Sequence, residues 1–242
     1  MRILVIADIH ANLHALEAVL KDAKDTYDVA WCLGDLVGYG PYPNECIQII
    51  RELPDCICIS GNHDYAIVAN MDLSTFNPIA YQALHWTQNV LTTESNHFLD
   101  KIESTIYTNS VTLVHGSPNN PLWEYITDTN IADQNFANIR GKLCLVGHTH
   151  IPRVFSHDGI QCNESTINTT QPLNLFKRQY ILNPGSVGQP RDHNPLAAYG
   201  ILDLAKHTWQ QRRVAYDIRA TQDQMMIEQL PEELIIRLSF GM

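Results

Sequence analysis

No stretch of this chain stays apolar for long. The opening residues, MRILVIADIHAN, break at Asp8 after a short hydrophobic run. That is too short for a signal peptide, and no other window approaches the ~18 apolar residues of a membrane span. A cytoplasmic protein without a membrane partner is expected. CxxC pairs are missing as well. The six cysteines, Cys32, Cys46, Cys56, Cys58, Cys144 and Cys162, are spaced without a zinc-knuckle pattern, and several sit in apolar runs such as CICIS. Buried, reduced thiols are expected rather than a disulfide framework. Low-complexity tracts, runs of like charge and internal repeats are also lacking. Basic residues are scarce: 16 Lys and Arg stand against 26 Asp and Glu, for a net charge of -10. This excludes broad electrostatic attraction to nucleic acid or anionic membrane, but it is compatible with a local positive site made by bound metal. What is left is an ordinary globular chain of 242 residues, 45% hydrophobic and 17% charged. It is long enough for a full core and is expected to form one domain over residues 1–242.

The first half alternates short apolar runs with helical periods. RILVIA is followed by NLHALEAVLKDA, in which Leu13, Leu16, Leu20 and Ala23 recur at helical spacing and Asn12 is placed to cap. DVAWCL leads into the Gly- and Pro-rich GDLVGYGPYP, NECIQIIREL resumes the helical period, and DCICIS ends at GNHD. Such alternation predicts βαβ units and a largely parallel sheet. Residues 64–103 read as helical, with Pro78 opening one segment, and a further helix is predicted near Ile131 to Ile139. After His150 come RVFSH, IQCNE, QYILN, AAYGILDL and TWQQRRVAY, for which a separate second sheet is the economical explanation. A helical tail follows. Two face-to-face sheets with helices on their outer faces are expected.

Polar residues collect where strands end. ADIHAN follows the first strand, GDLVGYG the second, GNHD the third, VHGS the fourth and GHTH the fifth. Parallel strands deliver their C-terminal ends to one edge of a sheet, so these loops should share a crevice. They bring Asp8, His10, Asp35, Asn62, His63, His115, His148 and His150. Imidazole, carboxylate and amide oxygen without thiolate suit Mn, Fe, Co, Ni or Zn better than a calcium cage or a structural zinc site. So many ligands exceed the needs of one catalytic ion and fit two divalent ions about 3.5–4 Å apart. Each fragment also has a plain reading: Asp8 as a helix cap, Asp35 and Asn62 as turn residues, His115 as a satisfied core imidazole. Their joint order, each at a strand end, is what speaks for a site. In an extended segment His148 and His150 project to the same side.

The ordered set DIH, GDLVGYG, GNHD, VHGS and GHTH resembles the calcineurin-like metallophosphoesterases, closest among them the small bacterial and archaeal phosphodiesterase type. NPGSVGQPRD, Asn183 to Asp192, also looks like that branch. The resemblance implies a four-layer αββα sandwich of two mixed β-sheets flanked by helices, with a dinuclear centre. It implies that Asp8, His10 and His150 hold one metal, that Asn62, His115 and His148 hold the other, and that Asp35 bridges. His63 would stand beside the leaving group as general acid, and a hydroxide between the ions would attack phosphorus. Asn12 and Arg191 are candidates to bind the substrate phosphate, although Arg191 could equally be an exposed turn charge. Trp123 and Tyr125 either line a substrate pocket or anchor a long loop.

The related protein Ser/Thr phosphatases and symmetrical diadenosine tetraphosphatases carry Asp-Arg-Gly after the second motif and GNHE in the third. Here Gly38, Tyr39 and Gly40 stand in the former positions, and Asp64 follows His63. Asp64 is then the carboxylate available to orient His63. The expected activity is metal-dependent phosphoesterase, with phosphodiesterase favoured, on a small phosphate ester such as a nucleotide. The alternatives are a phosphomonoesterase or protein phosphatase, and a non-catalytic scaffold like the retromer subunit of this fold. A haloacid-dehalogenase-like enzyme would need an Asp where His10 stands. His14, His85, His97, His157 and His207 lack comparable context; His193 is intermediate.

Overall fold

The computed structural model describes residues 1–108, 110–176 and 178–242. The first half runs β1 (Arg2–Ile6), α1 (Leu13–Ala23), β2 (Val29–Cys32), α2 (Pro43–Glu52), β3 (Ile57–Cys58), α3 (Asn62–Val68), a 3-10 turn (Leu73–Thr75), α4 (Pro78–Val90) and α5 (Thr93–Leu99). Then follow β4 (Thr105–Tyr107), β5 (Val111–Val114), α6 (Thr129–Phe136), β6 (Leu143–Leu145), β7 (Arg153–His157), β8 (Cys162–Glu164) and β9 (Leu173–Asn174). The chain closes with β10 (Gln179–Asn183), β11 (Ala197–Asp203), β12 (Thr208–Val214), α7 (Ile218–Ile227) and α8 (Glu232–Arg237).

The strands form two mixed six-stranded sheets in the orders β3-β2-β1-β11-β12-β9 and β4-β5-β6-β10-β7-β8. In the first, β1, β2 and β3 are parallel and β11 returns antiparallel beside β1. In the second, β5, β6 and β10 are parallel. The period of two in RILVI sorts its side chains between two cores. Ile3 and Val5 face the other sheet, with Leu113, Leu145, Leu182, Leu202 and Trp209. Leu4 and Ile6 face helices α1 and α2. On the second sheet Val114, Cys144 and Ile181 pack outward against Phe136 of α6. The four layers are thus helices, sheet, sheet and helix. All six thiols are free, and no helix among the described residues is long and apolar enough to cross a membrane.

Helix starts follow the local chemistry. The Asn12 carbonyl accepts from the Ala15 amide at 3.2 Å to cap α1, and Asn77 caps α4 with Pro78 in its first turn. The helical region expected from 64 to 103 is three helices and a 3-10 turn. Two short edge strands, β4 and β9, were not legible in the sequence; neither exceeds three residues. The larger correction concerns the strands after His150. They do not form a sheet of their own: β7, β8 and β10 extend the second sheet, while β9, β11 and β12 complete the first. Alternation identifies a strand and its buried face but says nothing about which neighbour it pairs with.

Candidate metal centre

Six loops meet at one end of the sandwich. Three follow β1, β2 and β3 of one sheet, and three follow β5, β6 and β10 of the other. The crevice expected at the edge of one sheet is therefore built jointly by both. Asp8, His10, Asp35, Asn62, His63, His115, His148 and His150 are all buried there. Asp8, His10, Asp35 and His150 bring ligand atoms within 4.8 Å of one another, and so do Asp35, His115 and His148. Asp35 is common to both groups. Its Oδ1 accepts from the His63 amide at 2.9 Å, and its Oδ2 lies 3.5 Å from His10 Nε2 and 3.3 Å from His115 Nε2. Asn62 Oδ1 lies 3.1 Å from His115 Nε2, on the side of the second group.

The histidines are held by their far edges. Nδ1 donates to a backbone carbonyl in His10 (Val37, 3.0 Å), His115 (Leu33, 2.8 Å) and His150 (Gln189, 2.6 Å). A carbonyl can only accept, so Nδ1 carries the proton and Nε2 turns its lone pair inward when the ring is neutral. Nε2 of His10 and Nε2 of His150 accordingly face each other at 3.1 Å. Asp8 Oδ1 accepts from the His148 amide at 3.1 Å, while Asp8 Oδ2 and His148 Nε2 are buried without a partner. Buried lone pairs left unmatched among converging carboxylate and imidazole groups are the complement of a cation, so these residues fit divalent metal.

The charge balance agrees. Burial keeps His10 and His150 well below the ordinary histidine range and lowers His148 to about 3, which leaves these rings neutral as ligands must be. His115 goes the other way: burial works against its charge, but the carboxylates of Asp35 and Asp8 carry it up to about 10. Burial opposes ionisation of Asp35 too, yet the surrounding histidines hold it well below the usual carboxylate range. That upward pull on His115 marks how strongly this cluster of carboxylates demands positive charge.

The backbone is unusual at the same residues. Asp8, His10, Asp35, His148 and His150 have φ of +53°, +47°, +53°, +66° and +60°. This left-handed region is sparsely used by residues other than Gly, and each instance costs on the order of 1–3 kcal/mol. GHTH is therefore not extended, as alternation would have it; two left-handed residues turn both imidazoles inward.

Three neighbours have roles that spacing did not reveal. Asp64 does not touch the His63 ring. It accepts from the amides of Leu36 (2.9 Å), Val37 (3.1 Å) and Gly61 (3.0 Å), and so fastens the second loop to the third. His63 Nδ1 is instead buried without a partner, and a Cβ on Gly38, whose φ is +83°, would collide with it. Burial lowers the His63 ring to about 4, with Asp35 opposing. Asn12 is buried, and its side chain is fully engaged: the amide donates to the Gly188 carbonyl at 2.9 Å and the oxygen accepts from Ala15 and Thr221. Gln189 went unmarked in the sequence. Besides receiving His150, its side-chain oxygen accepts from Arg191 (2.7 Å) and Arg237 (3.4 Å), and Arg191 also reaches the Tyr39 hydroxyl at 3.4 Å. Tyr125 stacks on His148 with ring centroids 3.8 Å apart.

Residues 1–207 match the model of the calcineurin-like phosphoesterase superfamily domain. The chain belongs to this superfamily. Among similar members is an uncharacterized protein of Methanocaldococcus jannaschii, 40% identical over 247 residues, an alignment spanning 99% of this chain and 98% of that one. The crystal structure of a metallophosphoesterase from Sphaerobacter thermophilus is 42% identical, with a TM-score of 0.90 over 100% of this chain and 99% of that one. A symmetrical bis(5'-nucleosyl)-tetraphosphatase of Erwinia tasmaniensis is 35% identical over 68 residues, 27% of this chain and 25% of that protein. A phosphoesterase-superfamily fold with paired His and Asp groups able to hold metal is thus established, and it supports a hydrolase.

Proposed function

We propose that this phosphoesterase-superfamily protein is a phosphodiesterase that uses two divalent transition-metal ions, from among Mn, Fe, Ni, Co and Zn, to hydrolyse a small phosphate ester. The observation that carries the proposal is the position of Asp35, whose Oδ2 faces both ligand groups. Asp8, His10 and His150 would hold one ion, Asn62, His115 and His148 the other, and Asp35 both. Such a pair supplies Lewis acidity and charge neutralisation for in-line displacement at phosphorus. The protein's own part is to fix the ligands by their carbonyl anchors, keep their lone pairs inward, and exclude water from all but the reacting face.

His63 stands beside these groups, 4.8 Å from the His10 ring and 4.6 Å from Tyr39. As general acid it would deliver a proton from Nε2 to the departing oxygen. The negative charge of a bound phosphate raises the affinity of the ring for that proton and offsets its burial. Preference for a diester follows from charge. Tyr39 stands where the protein Ser/Thr phosphatases and symmetrical diadenosine tetraphosphatases carry arginine, and the nearby cations Arg191 and Arg237 share Gln189, so the site offers less to a doubly charged monoester than to a singly charged diester. Apo protein reconstituted in parallel with Mn, Ni, Co and Zn is to be assayed against bis(p-nitrophenyl) phosphate and p-nitrophenyl phosphate. At least about a tenfold higher kcat/KM for the diester is expected with one of the metals. Preference for the monoester would remove the diesterase assignment; no turnover with any metal would leave a non-catalytic scaffold.

A further inference from the structure

Arg2, Arg51, Arg153, Arg213 and Arg219 are each paired with a carboxylate. Among the described residues, half-buried Arg191 and Arg237 have none within ion-pair distance, although acidic residues outnumber basic ones 26 to 16. The partner they share is neutral: the Gln189 side-chain oxygen accepts from Arg191 Nη2 at 2.7 Å and from Arg237 Nη1 at 3.4 Å. Two guanidinium groups that converge on one oxygen are close neighbours, and like charges so placed repel. Burial and the Arg191 charge accordingly pull Arg237 below its ordinary range. Packing enforces the approach. Leu234, Ile235 and Leu238 are buried against Tyr39 and α4, and Arg237 lies on the same side of α8, three residues on from Leu234. Arg191 is placed from the other side by its amide, which donates to the His150 carbonyl at 3.2 Å. Its guanidinium stands 5.7 Å from the centre of the Tyr39 ring, which is itself 4.5 Å from the His10 ring. The pair thus adjoins the ligand group of Asp8, His10 and His150.

Each guanidinium carries five N–H donors, and Gln189 and Tyr39 occupy a minority of them. Unneutralised cations with donors to spare are the complement of a multiply charged oxyanion. The phosphorus to be attacked belongs at the ligand cluster, so the anion held by the arginines is a different one. We propose that Arg191 and Arg237 bind a second phosphate group of the substrate, which makes the substrate class phosphodiesters that carry a further, terminal phosphate. Arg237 lies beyond the residues matched to the superfamily model, which end at 207, so half of this site is contributed by the chain's own tail. The substrate class rests on the phosphodiesterase reading; the binding of a phosphate by the pair does not.

The test compares bis(3-phosphonopropyl) phosphate with dipropyl phosphate. Phosphonates stand in for phosphate and resist hydrolysis, and two equal arms meet the arginines whichever way the diester lies. Calorimetry on metal-free protein reads the arginines apart from the metal chemistry, and the phosphonate ester is expected to bind about tenfold or more tighter. Arg191→Gln and Arg237→Gln should each bring that ratio toward one, while Arg237→Lys, which keeps the charge, should retain part of it. Arg219→Gln removes an exposed charge on α7 and should leave the ratio unaltered, which separates the pair from a general effect of net charge. Circular dichroism establishes that each variant is folded. Equal affinities in the unaltered protein, or a preference that survives Arg237→Gln, would overturn the assignment. Mn-loaded protein hydrolysing bis(p-nitrophenyl) phosphate should be inhibited by the phosphonate ester at a concentration about tenfold below that of dipropyl phosphate. Absent turnover with the binding preference intact removes the phosphodiesterase reading alone; turnover without the preference removes the arginine pair alone.

Discussion

Asp35 commits one carboxylate oxygen to the His63 amide and turns the other toward both ligand groups, so a single substitution reaches the whole centre. Asp35→Asn keeps the shape but halves the acceptor character of that bridge. Metal content measured by plasma mass spectrometry is expected to fall from about two ions per chain to fewer than one, with turnover down on the order of a thousandfold. A variant that keeps two tightly bound ions would remove the bridging role. His63→Ala should retain both ions and lose about 10²–10⁴ in kcat for esters with poor leaving groups, and less for p-nitrophenyl esters, whose departure needs no proton. Equal losses for both leaving groups would take the acid role from His63. At this scale the donor set was legible because imidazole, carboxylate and amide side chains recur where strands run out. The task of Asp64 was not, because its partners are the backbone amides of Leu36, Val37 and Gly61, which carry no sequence signal.

Loops become a site only when something holds them together, and residues 184–191 do much of this. Val187 donates to the Ala7 carbonyl at 3.0 Å, Gly188 to that of Asp8 at 3.0 Å, and the Ser186 hydroxyl to the same Asp8 carbonyl at 2.7 Å. The loop after β10 is thereby laced along the loop after β1, so closely that a Cβ on Gly188 would run into the Ile9 carbonyl. Gly188→Ala must part the two loops. A loss of about 2 kcal/mol or more is expected, seen as a Tm lower by at least about 5 °C, together with weaker metal retention. An unchanged Tm would mean that the loops yield without cost. NPGS was readable as part of the pattern, whereas its clamp was not, since small residues record a close approach without naming what approaches. The left-handed turns at Asp8, His10, Asp35, His148 and His150 were hidden for a related reason. Asp and His enter that region more readily than most residues, but they do so for tertiary causes that a single chain does not display.

For the molecule as a whole, the ions and the fold are thermodynamically linked. Strained loops and buried unmatched lone pairs make the metal-free protein the less stable form, and an ion that binds only the folded state adds about 2.7 kcal/mol at a hundred times its Kd. Saturating Mn should therefore raise Tm by roughly 5–10 °C, and a chelator should return it. A Tm indifferent to metal would argue that the cluster binds none. The sandwich itself was foreseeable from its alternating pattern, but the sharing of late strands between both sheets was not. That sharing has a consequence for synthesis. β1 lies in the interior of its sheet, between β2 and β11, so the strand that leads into Asp8 and His10 is made well before its partner β11, some two hundred residues further along the chain. Between the translation of His150 and that of Ala197–Asp203, a nascent chain holds every candidate ligand and still lacks half the support of the strand that positions two of them. Metal loading is then expected late, as one of the closing events in the life of a new copy rather than as the seed around which it folds.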